Sequence, residues 1–273
     1  MIKANNKHNK IYIALSVLLC CLLTTPLYSN ATDSIKQDSL VLNQNITNLQ
    51  SEYSKFKPAR FILPTAFIAY GFTSRYTGLD EIDKRIQKES QKHFNTNTWA
   101  DDVLLFVPHA AVFGLDWCGV KPVNNFKDRF IVSATSFAIG EGLTLITKHA
   151  TNRWRPNGEN KESFPSAHTC LAFSGAHILM KEYRHVSPWI GIGGYTVATT
   201  VGVLRITNNK HWFSDVVAGA GFGILSVELS YLLLPYLSRT FSFGKEKKEE
   251  TSLLEISPIM TSEHIGFGFQ YRF

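Results

Sequence analysis

Three short clusters between Lys148 and Asp215 combine cations, a helix start and two histidines in a way suited to handling a phosphoryl group. Lys148 is followed after six residues by Arg155-Pro156. Pro165-Ser166-Ala167-His168 comes next, and Arg205 is then followed after five residues by His211 and after three more by Asp215. Lys and Arg supply charge and directed donors, with Arg able to make paired contacts to phosphate oxygens. Ser166 and the backbone N–H groups of Ala167 and His168, at a helix N-terminus, add neutral donors and a favourable dipole. His211 and Asp215 lie four apart, so on a helix they share a face and the carboxylate can orient the imidazole. Taken singly, each cluster has an ordinary reading. A Lys closing an apolar helix complements its dipole, Arg-Pro marks a loop, and Pro-Ser-Ala-His starts a helix.

The elements around the clusters can bring them together. Apolar segments at Phe61–Phe72, Val103–Leu115, Phe130–Thr147, Thr169–Met180, Trp189–Leu204 and Val216–Leu237 have the length and the Gly, Ala and Leu content of helices. From His168 a helix can run to Glu182, turn through Ser187 and return from Pro188 to Arg205. The two legs are about 21 and 26 Å long, so an antiparallel pair brings Arg205 back beside His168. Ser187 and Pro188 suit the cap and first turn of the returning helix. The third segment delivers Lys148 at its end, and all three clusters face one end of an all-α bundle. Leu79, Ile82, Ile86 and Phe94, with charges between them, predict an amphipathic helix that caps the core with its apolar side, in preference to docking on a membrane surface.

Lys, six residues, Arg-Pro; then Pro-Ser-Ala-His; then Arg, five residues, His, three residues, Asp: this series resembles the signature of the type 2 phosphatidic acid phosphatase superfamily, which includes bacterial acid phosphatases and vanadium haloperoxidases. Two positions depart from the pattern, Ala167 where the family usually has Gly and Leu204 where it usually has Ser. Ala keeps the backbone N–H provided its φ is negative. The resemblance implies a six-helix bundle, embedded in a membrane, that hydrolyses a phosphate monoester or the terminal phosphate of a diphosphate without metal or cofactor. It assigns His211 as nucleophile, Asp215 as its orienting partner and His168 as general acid, with Lys148, Arg155, Ser166, Ala167 and Arg205 binding the phosphate. A phosphorylated membrane lipid such as lipid A, phosphatidylglycerol phosphate or undecaprenyl diphosphate is the expected substrate. A soluble periplasmic acid phosphatase of broad range, a vanadium haloperoxidase and a catalytically dead membrane protein are the competing readings.

The rest of the 273 residues frames this core. Lys3, Lys7 and Lys10 precede the apolar run from Ile11 to Leu23, and Ser29-Asn30-Ala31 offers small residues for a signal peptidase. Residues 1–31 therefore read as a secretory signal or a first membrane helix, which places the active site on the periplasmic side of a bacterial inner membrane, or the whole protein in the periplasm. Residues 32–57 form a polar extension, 58–243 the phosphatase domain, and 244–273 a charged linker and tail. In the tail, Ile265, Phe267, Phe269, Tyr271 and Phe273 alternate as a strand does, and a hairpin packed on the domain is expected. The net charge of +6 is spread without the interleaved aromatics of a nucleic-acid surface. No carboxylate cluster or His-x-His spacing predicts a metal site, and Cys118 and Cys170 predict buried free thiols.

Overall fold

The computed structural model describes residues 32–94, 98–240, 254–260 and 265–271. They contain nine helices and one hairpin: α1 (Thr32–Tyr53), α2 (Ala59–Thr73), α3 (Asp80–His93), α4 (Ala100–Leu104), α5 (Val107–Trp117), α6 (Phe126–Thr151), α7 (Ala167–Tyr183), α8 (Pro188–Thr207), α9 (Phe213–Thr240), β1 (Leu254–Met260) and β2 (Ile265–Tyr271). The chain divides into two compact units after Ile46. Of the first, only the helical residues 32–46 are described; the second, from Thr47 onward, contains the helical bundle. The expected signal and charge run fall outside the described residues.

The six apolar segments are helical, with one correction. Val103–Leu115 is not continuous: it is split into α4 and α5, with Pro108 in the first turn of α5, where a missing N–H costs nothing. The long helices start and stop where the side chains dictate. Asn125 Oδ1 caps α6 by accepting from Asp128 N at 2.9 Å, and Asn152 ends it in the left-handed region with φ 44°.

Helix α7 is the axis of the bundle, packed by α5, α6, α8 and α9. Its contact with α9 is a backbone approach: a Cβ on Gly219 would lie 2.5 Å from the Ser166 carbonyl oxygen. Small residues thus let the two helix starts that carry site residues touch.

One end of the bundle packs Tyr53, Val112, Val132, Ile178, Tyr183 and Val227. Tyr53 belongs to this core, so the domain reaches back into α1 beyond the expected boundary at residue 58. Here too is a buried polar network. Glu228 of α9 takes Lys181 Nζ and His177 Nε2, each at 2.7 Å, and His177 Nδ1 meets Tyr195 Oη at 2.6 Å. Glu182 accepts from Asn124 Nδ2 at 2.7 Å and from Tyr231 Oη at 2.5 Å.

Helix α3 reverses the expected orientation. Its buried residues are Asp83 and Gln87, while Leu79, Ile82 and Phe94 are exposed. Asp83 accepts from Ser214 N at 2.8 Å, Gln87 bonds Asn209, and Gln91 Nε2 donates to the Thr207 carbonyl at 3.0 Å. The helix is held to the α8–α9 turn by polar groups because that turn offers unpaired backbone donors and acceptors, which apolar side chains could not satisfy.

The tail forms the expected strand pairing, with Ile256 opposite Phe269 and Pro258 opposite Phe267. Cys170 is buried as expected, but Cys118 is exposed.

Candidate active site

The ends of α6 and α8 and the starts of α7 and α9 meet at one end of the bundle and bring all three sequence clusters together. Lys148 comes from the last turn of α6, and its Nζ reaches the Glu162 carbonyl at 2.6 Å. Arg155 sits in the following turn, closed by bonds from Gly158 N to the Arg155 carbonyl and from Arg155 N to Asn160, both 3.0 Å. Ser166 is fully buried and caps α7, accepting from Thr169 N at 3.4 Å. Ala167 opens α7 with negative φ, so its N–H is presented as the departure from Gly requires. Arg205 closes α8.

The cations converge. Arg155 is held below the usual guanidinium range by burial and then by repulsion from Arg205. Arg155 Nε and Arg205 Nε are both buried donors without a hydrogen-bond partner. Native proteins leave few such groups, and a planar N–H fork is suited to an oxyanion of phosphate.

His211 is buried, and its Nδ1 lies 2.7 Å from the Ser163 carbonyl oxygen. A carbonyl only accepts, so Nδ1 carries the proton and Nε2 keeps the lone pair. Burial pushes the pKa of His211 down to about 4, against the pull of Asp215 and with help from Arg205 and Lys148. The ring is therefore neutral at ordinary pH, as a nitrogen nucleophile must be.

Asp215 stands beside the His211 ring, where an orienting partner was expected, without a direct hydrogen bond to it. His211 precedes α9 instead of lying on it, and Asp215 Oδ2 stands 3.6 Å from Nδ1, beyond hydrogen-bond range. Asp215 instead accepts from Ser163 Oγ at 2.5 Å and Trp212 N at 2.9 Å. It fixes the residue whose carbonyl fixes the imidazole.

Sequence reasoning missed several partners. Arg153 Nη1 donates to Asp215 Oδ1 at 2.6 Å and Arg153 Nη2 to Asp83 Oδ2 at 2.7 Å, tying α3 to α9. Asp102 Oδ1 is 2.8 Å from His168 Nε2, and Asp101 Oδ2 accepts from Arg205 Nη1 at 2.6 Å. Asp101, Asp102 and His168 bring potential metal ligands within 4.8 Å of one another. The guanidinium of Arg205 is the cation those carboxylates hold. The doubled Asp at the start of an apolar segment was the signal available for α4; nothing in sequence paired Asp83 with Arg153, 70 residues away.

His168 is half-buried, and burial followed by repulsion from Arg205 lowers its pKa, partly offset by Asp102. With Nε2–H directed at Asp102, Nδ1 is the position that can carry a transferable proton. His109 meets the Leu171 carbonyl at 3.2 Å and His177 belongs to the far network, so neither joins the site.

Residues 130–239, which hold every residue of the three clusters, match the sequence profile of the PAP2 superfamily. A lipid A 1-phosphatase of Porphyromonas gingivalis is 37% identical over 161 residues, 58% of this chain and 36% of that protein. The bacitracin transport permease protein BcrC of Bacillus licheniformis is 29% identical over 125 residues, 41% of this chain and 60% of that one. The chain thus spans less than two thirds of either relative. The crystal structure of a transmembrane PAP2-type phosphatidylglycerolphosphate phosphatase from Bacillus subtilis aligns over 67% of this chain and 99% of its own, with 18% identity and a TM-score of 0.44.

Proposed function

We propose that this protein is a membrane-embedded phosphatase that hydrolyses the phosphate monoester of a lipid through a phosphohistidine on His211. The observation that carries the reading is the Ser163 carbonyl on His211 Nδ1, which leaves Nε2 unprotonated and buried beside the cations. Nε2 attacks phosphorus and the P–O bond to the lipid breaks. His168 Nδ1 gives its proton to the departing oxygen, then takes one from the water that cleaves the P–N bond. Lys148, Arg155, Arg205 and the start of α7 hold the phosphoryl oxygens throughout, charge that supports the transition state without reorganisation.

Membrane embedding is supported by what the helices expose. α6 and α9 are long and apolar enough to cross a bilayer, and α6 turns Phe130, Phe137, Leu145 and Ile146 outward. Exposed Trp117, Trp189 and Tyr236 mark one end of the bundle, and exposed Tyr76, Trp99 and Trp154 mark the catalytic end. The 20 residues of α8 join the two ends, about 30 Å, which is the thickness of a hydrocarbon core flanked by aromatic belts. The catalytic end then lies at one interface.

Among lipid phosphates, the anomeric phosphate of lipid A is the first to test, because the 37% identical relative carries that activity in its name. The purified protein, with chelator present, is expected to release phosphate from lipid A and to form an acid-labile phosphoenzyme. Release without any phosphoenzyme in rapid-quench labelling would overturn the mechanism. Release from no lipid phosphate would overturn the function.

A further inference from the structure

The end of the bundle away from His211 holds a second concentration of charge. A cavity of about 310 Å³ opens there among α1, α2, α7 and α9, at the small end of the range of ligand pockets. Three cations line it: Arg60 from the first turn of α2, Lys181 from the last turn of α7, and Arg184 just beyond that helix. His177, Lys181 and Arg184 follow at spacings of four and three, so they share one face of α7. Along that face the cavity runs about 10 Å from the exposed Arg184 past the buried Lys181.

The carboxylates that line the cavity do not match these cations. Glu228 is taken by Lys181 and His177, each at 2.7 Å. Glu52 is shared between Arg60 at 3.0 Å and Lys57 at 2.8 Å. Among the described residues, the Arg184 guanidinium has neither a carboxylate nor a hydrogen-bond acceptor. Even with His177 uncharged, the lining carries one positive charge more than it has carboxylates. Excess charge beside hydrocarbon is costly, and a guanidinium fork without a partner suits a pair of phosphate oxygens. The mouth also has an apolar side. Leu63 lines the cavity and is itself exposed on α2, with the exposed Ile62 next to it. One phosphodiester monoanion would bring the lining to neutrality, and acyl chains attached to it would run along that face of α2.

Resting on the proposed membrane embedding but not on catalysis, we infer that the cavity between α2 and the end of α7 binds the phosphodiester headgroup of an anionic phospholipid. From His168 to Arg184 the chain runs about 24 Å along α7, so this lipid is a bound component at the opposite interface and never the substrate.

The test is thermal unfolding of the full chain in dodecyl maltoside, read by tryptophan fluorescence, with dioleoylphosphatidylglycerol, dioleoylphosphatidylcholine or inorganic phosphate added. Phosphatidylglycerol is expected to raise the midpoint about 4 °C or more above phosphatidylcholine, as filling a site found only in the native state does. Arg184→Gln should unfold at the wild-type temperature without lipid, because the side chain is exposed and unpaired, and should lose that rise. Arg85→Gln, which removes an exposed cation of α3 at the catalytic end, should keep it. If Arg184→Gln unfolds early, native mass spectrometry of its folded fraction decides: one phosphatidylglycerol retained by the wild type and none by the variant is expected. The site is overturned if Arg184→Gln keeps the lipid, if Arg85→Gln loses the rise equally, or if phosphatidylcholine or free phosphate gives the same rise. No turnover enters these readouts, so a protein inactive on every phosphate overturns the phosphatase reading alone. A chain that stays in aqueous solution without detergent overturns the embedding on which this site rests.

Discussion

In the proposed mechanism the two histidines have opposite tasks, and what they touch suits them to it. His211 must be neutral to attack, which its pKa of about 4 secures above that pH. His168 must be protonated to release the alcohol, and its pKa lies below the ordinary 6.5. For the free enzyme, kcat/KM is therefore expected to rise as pH climbs past about 4 and to fall before pH 6.5, giving an acid-side bell. A rate profile on a soluble ester checks this, and a plateau extending past neutrality contradicts it. Asp102 raises the pKa of His168, so Asp102→Asn is expected to move the alkaline limb to lower pH and leave the acid limb in place. His211→Ala should abolish turnover and phosphoenzyme together. His168→Ala should slow alkyl esters about 10²-fold or more but spare a nitrophenyl ester, whose leaving group departs without a proton. Equal losses on both leaving groups would exchange the roles assigned here.

At the scale of elements, the site depends on two close approaches. The first is Gly219 against the Ser166 carbonyl, one turn from the bond in which Ser166 N donates to the Asp215 carbonyl at 3.1 Å. Gly219→Val must push α9 off α7, and displacement of about an ångström there costs on the order of 10²-fold in kcat. Gly142→Ala, which meets nothing within 4 Å, should leave activity unchanged. The second is Arg153 between Asp83 and Asp215, where Asp83→Ala leaves a largely buried guanidinium with one carboxylate and should cost about 3 kcal/mol in detergent unfolding. The sequence made the first legible in part and the second not at all. Lys148, Arg155, His168, Arg205 and His211 stood out because their spacing repeats a recognisable pattern, and the antiparallel return of α8 followed from helix length alone. Asp83 read as one charge on an amphipathic helix, since hydrophobic periodicity presumes that the apolar face is the buried one. Here a turn full of backbone polar groups was the stronger claimant. The break between α4 and α5 escaped notice for a related reason: apolarity ran through it unbroken while the backbone changed direction.

For the molecule as a whole, the exposed apolar face of α6 and the two aromatic ends define a slab, and the protein should resist carbonate extraction yet dissolve in detergent. Active enzyme recovered from a soluble fraction would overturn that. On the proposed embedding, Glu228 is paired as an intramembrane carboxylate has to be. Lys181→Met removes one of its two partners and should destabilise the protein by about 3 kcal/mol, with catalysis at the opposite end retained in the folded fraction.

That network also dictates an order of biogenesis. Lys181 and Glu182 leave the ribosome on α7, but Glu228 and Tyr231, their partners, are made about 50 residues later on α9. Until α9 arrives, Glu182 has Asn124 as a partner but Lys181 lacks the carboxylate that neutralises it. On the proposed embedding, the nascent hairpin is expected to stay unfinished until α9 supplies Glu228. A chain truncated after residue 212 should be degraded rapidly in pulse-chase, and Lys181→Met with Glu182→Gln in that truncated chain should prolong its life.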